Sequence, residues 1–264
     1  MANFFKTIFT RNKALDTDQL IMKKTVIAFF FFFVFAGIAF WGWTWLRKQS
    51  REPGSEKGKT SVFVRKVLNT NEDIFKGLLS NNHKAKEYPK SKAANPARVN
   101  GNLGLTSAFD PATWAMNVIK ANGDTVKITL DDIKKLPKIE FAFNFKCIEG
   151  WSQITHWGGV KFSDFVKAYH LDTESAMNYL GLATPDKQYY VGIDMPSALH
   201  PQTILCYELN GKALPMDQGY PLRLIIPVKY GVKSLKRIGY MYFDNKRTPD
   251  YWADKRGYDY YTGL

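Results

Sequence analysis

Hydrophobic and polar positions divide the chain into stretches of different periodicity. Residues 25–46, Thr25 to Leu46, are apolar and uncharged, with unbroken phenylalanine from Phe29 to Phe33. As a helix, about 22 residues rise roughly 33 Å, enough to cross a bilayer core. Trp41, Trp43 and Trp45 gather at the C-terminal end of the run, where an aromatic belt would lie. The run is too long for the apolar part of a cleaved signal, begins late, and ends in Trp and Arg rather than small residues, so it reads as an anchor. Residues 47–60 form a polar linker. Between 61 and 80, Val62, Val64, Val67, Leu68, Ile74, Phe75, Leu78 and Leu79 recur at roughly helical spacing. That predicts one or two short helices packing on the following domain, with a partner-binding helix as the alternative. Residues 81–98 read as an exposed loop.

From Arg98 onward the pattern changes to short strands with short helices between them. Phe109 to Trp114 is a turn leading into a strand, Trp114–Ile119. Asn122-Gly123 then turns the chain into Thr125–Leu130, a hairpin. Residues 131–136 are a short helix ended by Pro137. Ile139–Ile148 alternates as a strand and carries Cys147 at its end. Phe162–Tyr169 is a helix. Tyr179–Ala183, Tyr189–Ile193, Leu222–Pro227 and Ile238–Asp244 are strands. The expected organisation is an N-terminal tail (1–24), a transmembrane helix (25–46), a linker with short amphipathic helices (47–97), and one mixed α+β domain (98–264).

Composition narrows the function classes. Hydrophobic residues make up 45% of the chain and aromatics 15%, so a packed core is expected rather than disorder. The net charge of +13 would suit nucleic acid, an anionic membrane surface or an anionic cofactor. No zinc-finger spacing, arginine-rich arm or aromatic-basic repeat is visible, and much of the excess sits beside the apolar run, which argues against nucleic acid. Cationic residues flank that run on both sides (Lys6, Arg11, Lys13, Lys23 and Lys24 before; Arg47, Lys48, Arg51, Lys57 and Lys59 after), so charge alone sets no orientation. No twin-arginine pair precedes it. His83, His156, His170 and His200 lack ligand-type spacing, which argues against zinc. Cys206, in Ile204-Leu205-Cys206-Tyr207, reads as a buried small apolar residue in a core strand or helix turn.

Two stretches carry candidate chemistry. The first is Cys147-Ile148-Glu149-Gly150-Trp151-Ser152, followed by Trp157-Gly158-Gly159. A lone cysteine is ordinarily an idle buried thiol, but a thiolate is also a soft ligand for a metal. The second is Gly219-Tyr220-Pro221-Leu222-Arg223 and its continuation through Lys229-Tyr230-Gly231-Val232-Lys233-Ser234-Leu235-Lys236. Arg223, Lys229, Lys233 and Lys236 could form an anion cradle, with Arg as a fork and Lys as point charges.

Together these stretches resemble the sulfite oxidase superfamily of molybdopterin enzymes, and within it the bacterial branch of periplasmic molybdenum methionine sulfoxide reductases. The resemblance covers roughly residues 96–264. It implies that Cys147 donates its thiolate to molybdenum, beside the dithiolene of molybdopterin. It implies further that Arg223 and the tripeptide Ser234-Leu235-Lys236 wrap the cofactor phosphate. Gln218 stands where many members carry Asn or His. Thr184, closing Tyr-Leu-Gly-Leu-Ala-Thr, fits a threonine that contacts the pterin. An upstream asparagine is expected at Asn100. Tyr258-Asp259-Tyr260-Tyr261 is similar to the family's Tyr-Gly-Phe-Tyr. No cytochrome-like haem motif and no immunoglobulin-like extension are visible beyond Arg98, unlike the longer eukaryotic sulfite oxidases.

The implied function is a membrane-anchored, oxygen-atom-transfer oxidoreductase using molybdenum-molybdopterin and reducing S-oxides such as methionine sulfoxide. His156 and Tyr230 are candidates for polarising the substrate oxygen. The expected setting is the inner membrane, single-pass, with a periplasmic catalytic domain and a membrane haem or quinol-linked subunit as electron donor. Two alternatives stand beside it. One is sulfite-oxidase-like oxidation of a small sulfur oxyanion, for which Lys146 is the only cation adjacent to Cys147. The other is a non-catalytic tethered binding module, suggested by the departures at Gln218 and Ser234.

Overall fold

The computed structural model of the chain describes residues 15–49, 61–78 and 83–264. The expected tail before Leu15, and the polar linker beyond Gln49, lie outside the described residues. α1, Thr17–Lys48, is a 32-residue helix with no buried residue, and by length and composition it can cross a membrane. It starts ahead of the apolar run because Asp16 caps it. The Asp16 carboxylate accepts the Gln19 N–H at 2.8 Å, and the Gln19 side chain accepts the Asp16 N–H in return.

α2, Val62–Leu78, is a single helix where one or two were expected. β1, Glu87–Tyr88, follows, within what reads as an exposed loop in the sequence. The chain continues through β2 (Met116–Ile119), β3 (Thr125–Ile128), α3 (Leu130–Lys134), β4 (Lys138–Lys146) and β5 (Ser152–Lys161). Next come α4 (Phe162–Ala168), α5 (Asp172–Ser175), β6 (Tyr179–Ala183), β7 (Tyr190–Asp194), α6 (Met195–Ala198) and β8 (Ile204–Leu209). It ends with β9 (Lys212–Ala213), β10 (Arg223–Ile225), β11 (Tyr240–Asp244) and α7 (Tyr251–Arg256). The mixed α+β reading therefore holds.

Two sheets organise these strands. The first runs β1-β4-β5-β8-β10, with β9 paired to β8, and the second runs β3-β2-β11-β6-β7. Most pairs are antiparallel; β11 runs parallel to β2. The larger core lies between the sheets. Val160, Leu205 and Leu224 of the first sheet meet Met116, Val118, Leu180, Val191 and Met241 of the second, with Phe162 and Phe165 of α4 among them. Successive strand residues point to opposite faces. The other face of the first sheet therefore carries a separate cluster, Phe141, Phe143, Phe145, Trp157, Cys206 and Ile225. Arg223 pairs with Cys206 across β10 and β8 and so joins this second face.

The longest strand missing from the sequence reading is β5; β1 and β9 are missing too, and β8 resolves the 204–207 stretch, read as a core strand or helix turn, as a strand. β5 has ten residues, and Thr155 through Val160 are all buried. A strand covered on both faces shows no period of two, and Gly158-Gly159 looks like a break. β5 bulges there, where the register with β8 shifts between Gly158 and Gly159.

Candidate functional site

Cys147 follows β4 directly and opens a tight turn. Gly150 N–H donates to the Cys147 carbonyl at 3.1 Å, and Cys147 N–H donates to the Trp151 carbonyl at 2.9 Å. Trp151 closes the turn. Its indole N–H donates to the Glu149 carboxylate at 3.0 Å, and the Arg98 guanidinium lies 4.6 Å from the centre of its ring. Only 5% of Cys147 is exposed. The Asn100 amide nitrogen stands 4.0 Å from its sulfur. Burial pushes the thiol above its ordinary pKa, and the Glu149 carboxylate adds to that.

The cavity beside this sulfur is lined by Asn100, Cys147, Arg223, Ser234 and Lys236, which arrive from four separate segments. Arg223 is 1% exposed. Its Nη1 donates to the Gln218 carbonyl at 3.0 Å and to the Gln218 side-chain oxygen at 2.9 Å, and Nη2 donates to the Ser234 carbonyl at 3.3 Å. All three partners are neutral, and Nε has none among the described residues. Burial pulls the guanidinium down to about 10. The Ser234 hydroxyl is likewise buried without a hydrogen-bond partner.

Lys236 draws three carbonyls together. Its ammonium donates to Asn100 O, to Gly101 O at 2.9 Å and to Asp217 O at 2.9 Å. Burial first, and the Arg223 cation second, pull it down to about 7. The chain comes close enough for this only because residue 219 is glycine. At φ +99, a Cβ on Gly219 would lie 2.7 Å from Cβ of Lys236.

The remaining candidates sit elsewhere. Gln218 is buried behind Arg223, and its amide nitrogen donates to the Arg98 carbonyl at 3.1 Å. Leu235 is fully buried in the larger core. Thr184 bonds the Asp186 carboxylate at 2.6 Å, is covered by Gly104 and does not line the cavity. Nor does Tyr230, whose backbone joins the C-terminal segment at Thr262 O. His156 neighbours Trp157 on β5 and so points to the opposite face, where Nε2 meets the Glu140 carboxylate at 3.2 Å. Glu140 is also paired with Lys138 and Lys90.

The four-cation cradle needs correcting. Lys229 pairs with Asp194 at 2.7 Å, and Lys233 pairs with Asp250 at 2.5 Å, both fully buried. Tyr261 and Tyr260 cover them, with ring centres 2.9 and 4.5 Å from the respective ammonium nitrogens. These two lysines tie the C-terminal segment to the domain, and neither lines the cavity.

The rest of the wall was not foreseen. It includes Leu103, Tyr189, Val232, Trp252 and Tyr258. Tyr189 donates its hydroxyl to the Val232 carbonyl at 2.6 Å and accepts the Trp252 indole N–H at 3.1 Å. Trp252 stacks on Tyr258 with 5.2 Å between ring centres. The Tyr-Asp-Tyr-Tyr ending was the only sequence signal for this side.

Comparison with known proteins bears on this geometry. Residues 103–252 match the family described as oxidoreductase molybdopterin binding domain. A putative protein-methionine-sulfoxide reductase subunit, YedZ1 of Azospira oryzae, is 34% identical over 188 residues, covering 70% of this chain and 70% of that protein. The protein-methionine-sulfoxide reductase catalytic subunit MsrP of Ralstonia nicotianae is 29% identical, covering 65% of this chain and 54% of that protein. MsrP of Xanthomonas axonopodis pv. citri is 31% identical, covering 59% and 55%. The chain thus spans about half the length of these two MsrP relatives. Among solved structures, the sulfane dehydrogenase SoxCD from Paracoccus pantotrophus aligns with a TM-score of 0.50 at 15% identity, over 56% of this chain and 43% of that one. That likeness concerns the fold alone.

Proposed function

The chain belongs to the oxidoreductase molybdopterin binding domain family, and from that premise we propose that it reduces S-oxides, methionine sulfoxide among them, at a molybdenum-molybdopterin held in the cavity beside Cys147. The observation that carries the reading is Arg223. A buried guanidinium with neutral partners only, and a donor left over, calls for an anion. The orphaned Ser234 hydroxyl beside it adds a second donor. Both fit the phosphate of a molybdopterin, and the Cys147 sulfur opens into the same space.

When bound, the group supplies a redox metal able to take up and release an oxygen atom. The protein's own part divides among its residues. Cys147 would offer a soft sulfur ligand, and burial keeps its thiol protonated in the free protein. Arg223 and Ser234 would hold the phosphate, while Lys236 fixes the 100–101 backbone and would add positive charge. Gln218 orients Arg223 from behind. Tyr189, Trp252 and Tyr258 give the cavity an aromatic wall that suits a neutral S-oxide better than a small dianion. With the cofactor phosphate on Arg223 and three carbonyls on Lys236, neither cation would be left for sulfite.

The relatives' designation as reductase subunits supports a separate electron donor, a membrane haem or quinol-linked protein reached because α1 tethers the domain. The setting that suits this is the inner membrane with the domain in the periplasm. The test is elemental analysis of the full chain made in a molybdopterin-competent host, beside Cys147→Ser, with dye-linked assays on methionine sulfoxide and on sulfite. Near-stoichiometric molybdenum with S-oxide turnover, lost in the variant, is expected. Folded wild type without metal overturns the cofactor assignment in favour of a binding module. Turnover of sulfite alone overturns the substrate.

A further inference from the structure

The two sides of α2 are reversed with respect to the domain. Arg65 Nη1 donates to the Tyr258 carbonyl at 2.8 Å, and Arg247 Nη1 donates to the Asn69 side-chain oxygen at 3.0 Å. The helix therefore meets the domain through its polar side. At 100° per residue, Phe63, Val67 and Ile74 fall within about 40° of one another, on the side away from Arg65 and Asn69. They are 40%, 44% and 54% exposed. An amphipathic helix of a globular domain normally turns its apolar stripe to the core. A contiguous exposed stripe marks an interaction surface.

We propose that this stripe lies in the boundary between headgroups and acyl chains of the membrane, making α2 an interfacial helix. Continuity favours a lipid occupant. Thirteen residues, 49–61, join Lys48 of the apolar helix to Val62, and they reach at most about 45 Å. Charge favours it too. From 47 to 66 the sequence has Arg47, Lys48, Arg51, Lys57, Lys59, Arg65 and Lys66 against Glu52 and Glu56. Such an excess beside an apolar stripe is the composition that binds anionic headgroups. There is a consequence for the cavity. Arg65 holds the Tyr258 carbonyl and Tyr258 lines the cavity, so a membrane-bound α2 keeps that wall at the bilayer. None of this depends on which reaction the cavity supports.

The test uses the full chain reconstituted in phosphatidylcholine vesicles, with and without phosphatidylglycerol. Val67→Cys, Ile74→Cys and Asp73→Cys are each labelled with nitrobenzoxadiazole, and wild type measures labelling of the two buried native thiols. Doxyl groups placed high on the acyl chain should quench the labels at 67 and 74 at least threefold more than the label at 73, and more strongly with phosphatidylglycerol. Adding Val67→Asp should abolish quenching at 74 while circular dichroism stays unchanged. Labels at 67 and 74 as wet as the label at 73 would overturn the proposal. So would labels shielded from water yet unquenched by lipid: loss of that shielding at one chain per vesicle would point to a second copy, and its persistence to cover by the chain itself.

Discussion

The Arg223 guanidinium lies 4.7 Å from the ring centre of Trp157, on the face of the first sheet turned away from the larger core. The pairing follows from strand register. Arg223 stands opposite Cys206, and Cys206 opposite Gly159, two residues along β5 from Trp157. A cation over an indole is worth about 2 kcal/mol when desolvated, and the planar fork reaches Gln218 and Ser234 at the same time.

Arg223→Lys should therefore be far from conservative. An ammonium cannot stack on Trp157 and span both partners. The variant should fold, with its melting temperature lowered by several degrees. It should lose at least tenfold in cofactor retention, which is about 1.4 kcal/mol. Cofactor content beside a thermal melt measures both. Retention within twofold of wild type would mean that Arg223 does not hold the phosphate.

Lys236 supplies a pH dependence whose sign can be worked out. Its folded pKa, about 7, lies below the ordinary lysine value of 10.5 because the ammonium is buried. Between these values the unfolded chain carries the proton and the folded chain does not. Stability of the cofactor-free protein should then rise with pH from about 7 upward, with a slope of at most about 1.4 kcal/mol per pH unit. Below pH 7 both states are protonated and this contribution is flat. Urea melts from pH 6 to 9 should show the rise. In Lys236→Met the slope should shrink, even though overall stability falls as three carbonyls lose their donor.

The two thiols should be slow nucleophiles before any metal binds. Burial raises Cys147, and it pushes Cys206 up to about 12. The thiolate is the reactive form. Iodoacetamide at neutral pH should alkylate the cofactor-free folded protein at least tenfold more slowly than a free thiol, and both cysteines should react at the ordinary rate in urea. Rapid modification of Cys147 in the folded protein would point to an ionised, metal-ready sulfur instead.

Much of the fold could be read from local pattern, because β6, β7 and α4 have alternation or compact apolar runs of ordinary length. β5 and the order of strands within the sheets could not. Burial on both faces removes the alternation, and the Gly158-Gly159 bulge disguises a continuous strand. The candidate site divides the same way. Cys147 and Lys236 were legible because short motifs carry them, with Ile148, Glu149 and Ser234 lining the same cavity, and Arg223 because its own Gly-Tyr-Pro-Leu-Arg run marks it, although Leu222 and Leu224 turn into the larger core. Lys229 and Lys233 looked identical to Lys236, and what separates them is Asp194 and Asp250, which arrive from other strands and loops. The aromatic wall was hidden for that reason too, since Tyr189 and Trp252 meet only after folding.

His156 separates proximity in sequence from proximity in space. It is nine residues from Cys147 in the chain, yet its ring is paired with Glu140 on the opposite face of β5 from Trp157. Lys138 first, and Lys90 second, hold the Glu140 carboxyl down at about 2, so that carboxylate stays charged at any working pH. His156→Asn should leave turnover within about twofold, because the buried ring lies on the face away from Trp157, and cost about 1–3 kcal/mol through the lost bond to Glu140. A tenfold fall in kcat with molybdenum content intact would return His156 to the chemistry.

Gly104 offers a test of how the cavity wall is built. It has φ +75, and a Cβ there would lie 2.5 Å from the Thr184 methyl carbon and 2.7 Å from its hydroxyl oxygen. Leu103, the preceding residue, lines the cavity. Gly104→Ala should therefore cost about 1–3 kcal/mol through backbone strain and the clash together. Thr184→Ser removes the methyl but keeps the hydroxyl bond to Asp186. In the double variant the clash should be relieved in part, since the hydroxyl oxygen at 2.7 Å stays, and the strain kept, giving a coupling energy of about 0.5–1 kcal/mol. Additive effects would mean that the segment moves away from Thr184 instead, carrying Leu103 with it. Cofactor retention would then fall in Gly104→Ala whether or not Thr184 is changed.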